Sequence, residues 1–201
     1  ISTALSKGFL FLKDKSGVLF LGITTIMSDV AIWGALSVLT ITMSKEIFNK
    51  GSWGYGLMDG MYGFGALIST IIVAIITKKF GRRKSLIWFY SIAGLCCFIS
   101  PFSPTIYIAG IAYLLMGLHN NSARIIVRTL FMEIIPNNIM GRVQTIFGVY
   151  TRVMMLTSVL IAGWVTENLN PHIGMNFASA HYLIALIGII VISKFSNFRK
   201  D

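Results

Sequence analysis

Apolar residues fall in six long runs, at about 18–43, 52–77, 86–100, 105–132, 143–165 and 175–193, separated by short polar stretches. Most runs reach the ~20 residues that a helix needs to cross ~30 Å of hydrocarbon. Pro101, Pro104, Pro136 and Pro171 all lie between runs, where they punctuate helices without kinking them. The pattern predicts six helical spans. Glycines cluster inside the runs, most densely in "GYGLMDGMYGFGAL", where Gly56 and Gly60 have the G-x-x-x-G spacing of close helix contacts.

Polar positions inside the runs are also periodic. Tyr113, Gly117, Asn120, Arg124 and Arg128 follow at steps of three or four and form one helix face. Tyr55, Asp59, Tyr62 and Ser69 share a face of the second span. Such faces avoid lipid and point to a bundle seam or an aqueous cavity. Asp59 is placed near the outer surface, where water solvates it. The third and sixth runs are nearly free of ionisable groups, His181 excepted. Four polar-striped helices and two greasy ones predict a central aqueous path with the third and sixth spans peripheral.

Two charges sit deep. Asp29 lies about 16 Å of helix rise past Val18, and Arg152 about 15 Å past Arg142. If both helices start at the same surface the two share a depth and can pair. A carboxylate there must face protein or water, or take up a proton. The pair then reads either as a structural bridge that orders helices or as a coupling switch released by protonation of Asp29. Arg124 is deeper than Arg128, whose side chain can reach the inner surface.

Composition narrows the class. The 201 residues are 55% hydrophobic and only 12% charged. A soluble domain of this size lacks the polar groups to cover so much apolar surface. The formal net charge is +10, yet the basic residues stand between apolar runs, so they read as membrane topology and not as a nucleic-acid surface. One side of the membrane receives Lys7, Lys13, Lys15, the "KKFGRRK" charges (Lys78, Lys79, Arg82, Arg83, Lys84), Arg142, Lys194, Arg199 and Lys200. The other receives Lys45 and Lys50. The positive-inside rule puts both termini in the cytoplasm of a multi-pass plasma-membrane protein. The segment "LSKGFLFLKDKSG" is amphipathic and suits either the inner membrane surface or a linker. The expected layout is an amphipathic cytoplasmic linker at 1–17, an all-α six-helix bundle at 18–195 and a cytoplasmic tail at 196–201.

Adjacent Cys96 and Cys97 inside an apolar run read as buried packing, with neither a disulfide framework nor a metal site. No cofactor is expected. Ser122 and His181 admit one enzymatic alternative, an intramembrane serine protease with a two-residue dyad. Against it, "NNSAR" lacks the Gly-x-Ser-Gly surround of the rhomboid type, and the second span supplies no oxyanion donors. A non-transporting membrane partner protein is a third class. No phosphate-binding G-x-x-x-x-G-K-[ST] loop is present, so transport would draw on an ion gradient.

Three stretches carry a family resemblance: "ITKKFGRRKSL", "MEIIPNNIMGRVQTIFG" and "MDGMYGFGALISTIIVAIIT". The chain resembles the second half of a major facilitator superfamily transporter, and is most similar to the macrolide-efflux and enterobactin-exporter branch. The first stretch is similar to the loop motif G-x-x-x-D-R-x-G-R-R/K. Ala74 stands where that motif has its first Gly, and Lys78 where it has Asp. The resemblance thus implies that this copy is not the main conformational latch, with Gly81, Arg82 and Arg83 left for orientation or gating. It further implies a six-helix half of a twelve-helix fold, with substrate bound between two halves.

The chain, starting at Ile1, is then expected to be part of a protein about twice as long, or to pair with a second copy. The implied partners are a missing N-terminal half, a small-molecule substrate, a coupling ion (a proton), and membrane lipids. The implied activity is antiport-type efflux of a drug, macrolide or siderophore. Expected substrate and coupling residues are Asp29, Arg124, Arg152, Asn120, Asp59, Tyr62 and Trp33. Trp33, Tyr55, Tyr62, Met116 and Met155 are expected to form an adaptable ligand wall.

Overall fold

The computed structural model describes residues 2–195, with side chains described over 7–192. The tail expected at 196–201, with Arg199 and Lys200, lies outside the described residues. Seven helices follow in order: α1 (Ser2–Asp14), α2 (Ser16–Ile47), α3 (Gly51–Phe80), α4 (Arg82–Ile99), α5 (Ile106–Ile134), α6 (Asn137–Asn168) and α7 (Pro171–Phe195). There is no strand among the described residues.

Among the described residues, five helices are long and apolar enough to cross a membrane: α2, α3, α4 with its short 3₁₀ extension to Phe102, α6 and α7. α5 has a comparable 29 residues but carries Asn120, Asn121, Arg124 and Arg128, which dilute its apolar character. The fourth expected span is therefore a helix of the right length whose interior is polar.

Local chemistry explains the breaks. α3 ends at Gly81, whose φ of 77° is a conformation that suits a residue with no Cβ. The Gly81 N–H bonds back to the Thr77 carbonyl, and α4 begins at once. Thr105 caps α5 by accepting from the Ile108 N–H at 3.4 Å. Pro136 and Pro171 fall at the starts of α6 and α7, where a missing N–H costs nothing. Midway along α2, residues Ala31–Ala35 form a π turn directly after Asp29 and Val30.

Neighbouring helices make an arc, in the order α3, α5, α4, α7, α2, α6. The most extensive contact is between α3 and α5, and glycine makes it possible. A Cβ on Gly65 would run into the Leu114 carbonyl, and one on Gly117 into the Tyr62 carbonyl. The contact glycines are thus not the expected pair: a Cβ on Gly56 or Gly60 would meet nothing within 4 Å. Those two face away from this bundle.

The main core, with Leu36, Phe89, Met116 and Tyr182, fills the inside of the arc. A smaller cluster ties α1 down at one end: Leu12 packs with Val18, Ile135, Val143 and Phe147, and Gly8 rests on Arg142 and Ile146. The start of α2, the α3–α4 turn and the α5–α6 junction are the basic end of the bundle. Phe102 and His172 stack at the other end, with ring centroids 5.1 Å apart.

Burial divides the spanning helices into two groups. In α4 and α7 about half of the apolar span is buried (50% each), but in α3 and α6 only 17% is. The least covered helices within this chain are the second and fifth spans, because α3 and α6 end the arc while α4 and α7 are flanked on both sides.

Candidate intramembrane charge site

α2 and α5 touch only lightly, and the space between them is a cavity of about 500 Å³. α2 contributes Thr25, Ser28 and Asp29, and α5 contributes Arg124 and Arg128. Tyr90 of α4 stands behind, and Gln144 and Thr151 of α6 stand at the side. Phe131 and Phe147 stack at 5.5 Å and form an apolar wall toward the basic end. Phe147 fits there because Gly22 leaves room on α2; a Cβ on Gly22 would strike its ring.

The centre of the cavity is Asp29. Its Oδ1 lies 3.4 Å from Arg124 Nε, with side-chain exposures of 23% and 30%. The separation is short enough for strong Coulomb attraction at low dielectric. The alignment is not that of a hydrogen bond, and both facing atoms are buried without one. Arg128 acts on the same carboxylate from farther off. Asp29 thus pairs with Arg124 and not with Arg152, which is exposed on α6. Thr151 lines the cavity, and one helical step of about 100° turns Arg152 out of it.

Deeper along α5 a polar seam continues. Asn120 Nδ2 donates to the Tyr62 hydroxyl at 3.0 Å, and Asn121 Nδ2 reaches the same oxygen at 3.4 Å. Two turns further, the Tyr113 and Thr40 hydroxyls are 3.0 Å apart. Asn120 Oδ1 and the hydroxyls of Ser122 and Tyr182 are buried with no hydrogen-bond partner. Three orphaned polar atoms near one seam are unusual in a packed interior.

The other expected residues scatter. Asp59 is exposed on α3. Trp33 is 57% exposed on α2, and Met116 is sealed in the core at 1%, so the two share no ligand wall. Arg82 forms a two-pronged bridge to Glu133 at the end of α5, its Nη2 donating to Oε1 at 2.9 Å. Those hydrogen bonds hold the Glu133 carboxyl below the usual carboxylate range. Gly81 makes the turn beside it, and Arg83 is exposed. Glu133 was not among the expected residues: it follows the last apolar residue of its run and reads there as solvated. Tyr90 was missed because an isolated tyrosine in a greasy span reads as core.

The dyad is not formed. His181 Nδ1 bonds to the Phe177 carbonyl at 3.0 Å, which can only accept, so the proton sits on Nδ1. Nε2 is then the acceptor for Ser158 Oγ at 3.2 Å. Ser122 makes no hydrogen bond to His181.

An α-helical integral membrane protein with ionisable groups held inside its bundle is the class that these features define. The chain belongs to the Major Facilitator Superfamily, whose profile matches residues 18–197. It is also similar to a D-xylose transporter of Levilactobacillus brevis, with 27% identity over 157 residues. That match covers 78% of this chain and 32% of the relative, so the chain spans about a third of its length. The family consists of carriers, and the protease alternative falls with this assignment.

Proposed function

We propose that this chain forms the C-terminal six-helix half of a twelve-helix, secondary-active carrier in the plasma membrane. The basic end and both termini face the cytoplasm, and an ion gradient, carried by protons, drives export of an amphipathic small molecule. The observation that carries the reading is the Asp29–Arg124 pair in the α2–α5 cavity. It is an ion pair held close but not locked by a hydrogen bond, in a span where an unpaired charge is costly. Protonation of Asp29 would weaken its hold on Arg124 and change how α2 and α5 meet. In carriers built of two repeats, substrate binds between the halves and one half rocks against the other. The lightly joined α2–α5 pair suits that motion. The Arg82–Glu133 bridge ties the α3–α4 turn to the end of α5 and would steady the cytoplasmic side.

The outward direction rests on the resemblance of "MEIIPNNIMGRVQTIFG" to the exporter branch. The D-xylose transporter relative favours a second reading, uptake of a pentose or a similar polyol. The hydroxyls and amides of the α5 seam would serve such a ligand. In vesicles holding the full-length carrier, Asp29→Asn should abolish gradient-coupled transport, a loss of at least about tenfold, with membrane insertion intact. Coupled transport at the wild-type rate would make Asp29 a structural residue. D-xylose counterflow in the same vesicles separates the two substrate readings: robust counterflow selects the sugar, and its absence leaves the exporter.

A further inference from the structure

On the outer flank of the arc, between the start of α2 and the end of α7, lies a second groove of about 430 Å³. Gly17, Leu19, Phe20, Ile23, Val191 and Ile192 line it, and the surface is almost wholly apolar. It opens sideways: Phe20 and Ile23 are exposed, as are Ile190, next to Val191, and Ile187, about one turn along α7. In a bilayer these side chains face hydrocarbon. The groove is remote in purpose from the charge cavity, which α2 presents on its inner face. It also lies away from α3 and α6, the helices whose faces are left for a second half.

The mouth of the groove is polar and basic. Ser16 lines it, and the chain immediately before is Lys13, Asp14 and Lys15, all exposed. Lys15 sits at the break between α1 and α2 with a backbone conformation (φ −103°, ψ 62°) that belongs to neither helix. Exposed Lys7 lies two turns back along α1. α1 cannot swing away freely, because Gly8 and Leu12 anchor it to α6. Lys15 directly precedes the groove-lining Ser16, and Lys13 stands two residues before it, so both lie near the groove mouth at the basic end. Asp14 offsets one of them and leaves the cluster net positive.

We propose that this is a binding site for an anionic phospholipid of the inner leaflet. One acyl chain lies in the groove between α2 and α7, and the phosphate headgroup sits against Lys13 and Lys15. Charge complementarity at the mouth and an apolar lining below it match the two parts of that one ligand. Gly17 is the point where the two meet. A Cβ added there would meet nothing within 4 Å, so the space in front of it is open to the ligand.

The test uses the full-length native carrier, extracted gently and examined by native mass spectrometry with phosphatidylglycerol or phosphatidylcholine supplied. Wild type should retain phosphatidylglycerol over phosphatidylcholine. The double variant Lys13→Gln/Lys15→Gln alters only exposed side chains and should lower that preference about tenfold or more. Gly17→Leu fills the groove without striking the backbone and should reduce retention of both lipids. Equal retention of the two lipids by wild type would overturn the site. So would an unchanged preference in the lysine variant, or a groove occupied by a second copy and seen as a doubled mass. Should Gly17→Leu fail to give a monodisperse protein, the lysine variant decides alone.

Discussion

The two ends of the arc and its middle are built from similar residues and treated differently. α2, flanked by α7 and α6, has 61% of its apolar span buried, while the end helices α3 and α6 have 17%. The exposed faces of the end helices are nonetheless ordered. Phe64, Leu67, Ile71 and Ile75 on α3, and Val149, Val153, Leu156, Leu160 and Trp164 on α6, recur at steps of three and four. These are continuous apolar stripes, the pattern of helices that expect to be covered. Water cannot cover them, so lipid or protein must. The inside of the bundle shows the opposite: it accepts Asp29, Arg124, Asn120 and, on the inner face of α3 itself, Tyr62, because neighbouring helices screen them from hydrocarbon. The difference teaches that the exposed stripes of the end helices are apolar surface that lipid or protein must cover, and that the charge pair and the polar seam lie where helices bury them.

The largest effects should come where helices touch through glycine. Gly65→Leu would drive a side chain into the α5 backbone at Leu114 and should cost about 3 kcal/mol or more, enough to lose the folded peak in detergent size-exclusion chromatography. Gly56→Leu, on the open face of the same helix, should leave that peak intact. Equal damage from both would break the comparison, because it would mean that the open face of α3 is already packed against something within this chain.

Charge should follow the same division at smaller scale. Arg124→Gln strands Asp29 beside the cavity and should cost about 2 kcal/mol, less than a fully buried pair because both side chains keep some exposure. Arg152→Gln on the exposed face of α6 should change the stability by no more than about 0.5 kcal/mol. Thermal unfolding of the two variants in one detergent compares them directly. A larger loss from Arg152→Gln would place that arginine in a pairing that the arc does not provide.

What was legible in the chain follows from these contrasts. Apolar run length located the long helices, and the three-and-four spacing of Tyr113, Asn120 and Arg124 found the face that bears the polar seam. Asp29 was legible because depth along a helix can be counted. Its partner was not: depth fixes position along the axis but not which helix stands opposite. Arg152 has the right depth and the wrong azimuth. The spacing of Gly56 and Gly60 marked a face that a helix can approach, but only the packed arrangement assigns the α5 contact to Gly65. Glu133 was hidden because its role depends on a turn brought to it from another helix, and Tyr90 because burial and site-lining look alike in sequence.

The smallest contrast is between two serines, and it bears on the enzyme alternative directly. Ser158 donates to His181 Nε2 across α6 and α7, at a point where Gly34 of α2 packs against the same serine. Removing that hydroxyl leaves a buried ring nitrogen without its donor, so Ser158→Ala should cost about 1 kcal/mol. Ser122 Oγ is buried and makes no hydrogen bond, so Ser122→Ala removes a polar atom that already lacks a partner. It should be neutral or slightly stabilising, and transport by the full-length carrier should be unchanged. Unfolding midpoints for the two alanine variants, measured with transport, test both halves of the statement. A stability loss at Ser122 equal to that at Ser158 would show that its hydroxyl has a partner in the bilayer. Loss of transport without loss of stability would move Ser122 from packing into the solute path, onto the same α5 seam as Asn120.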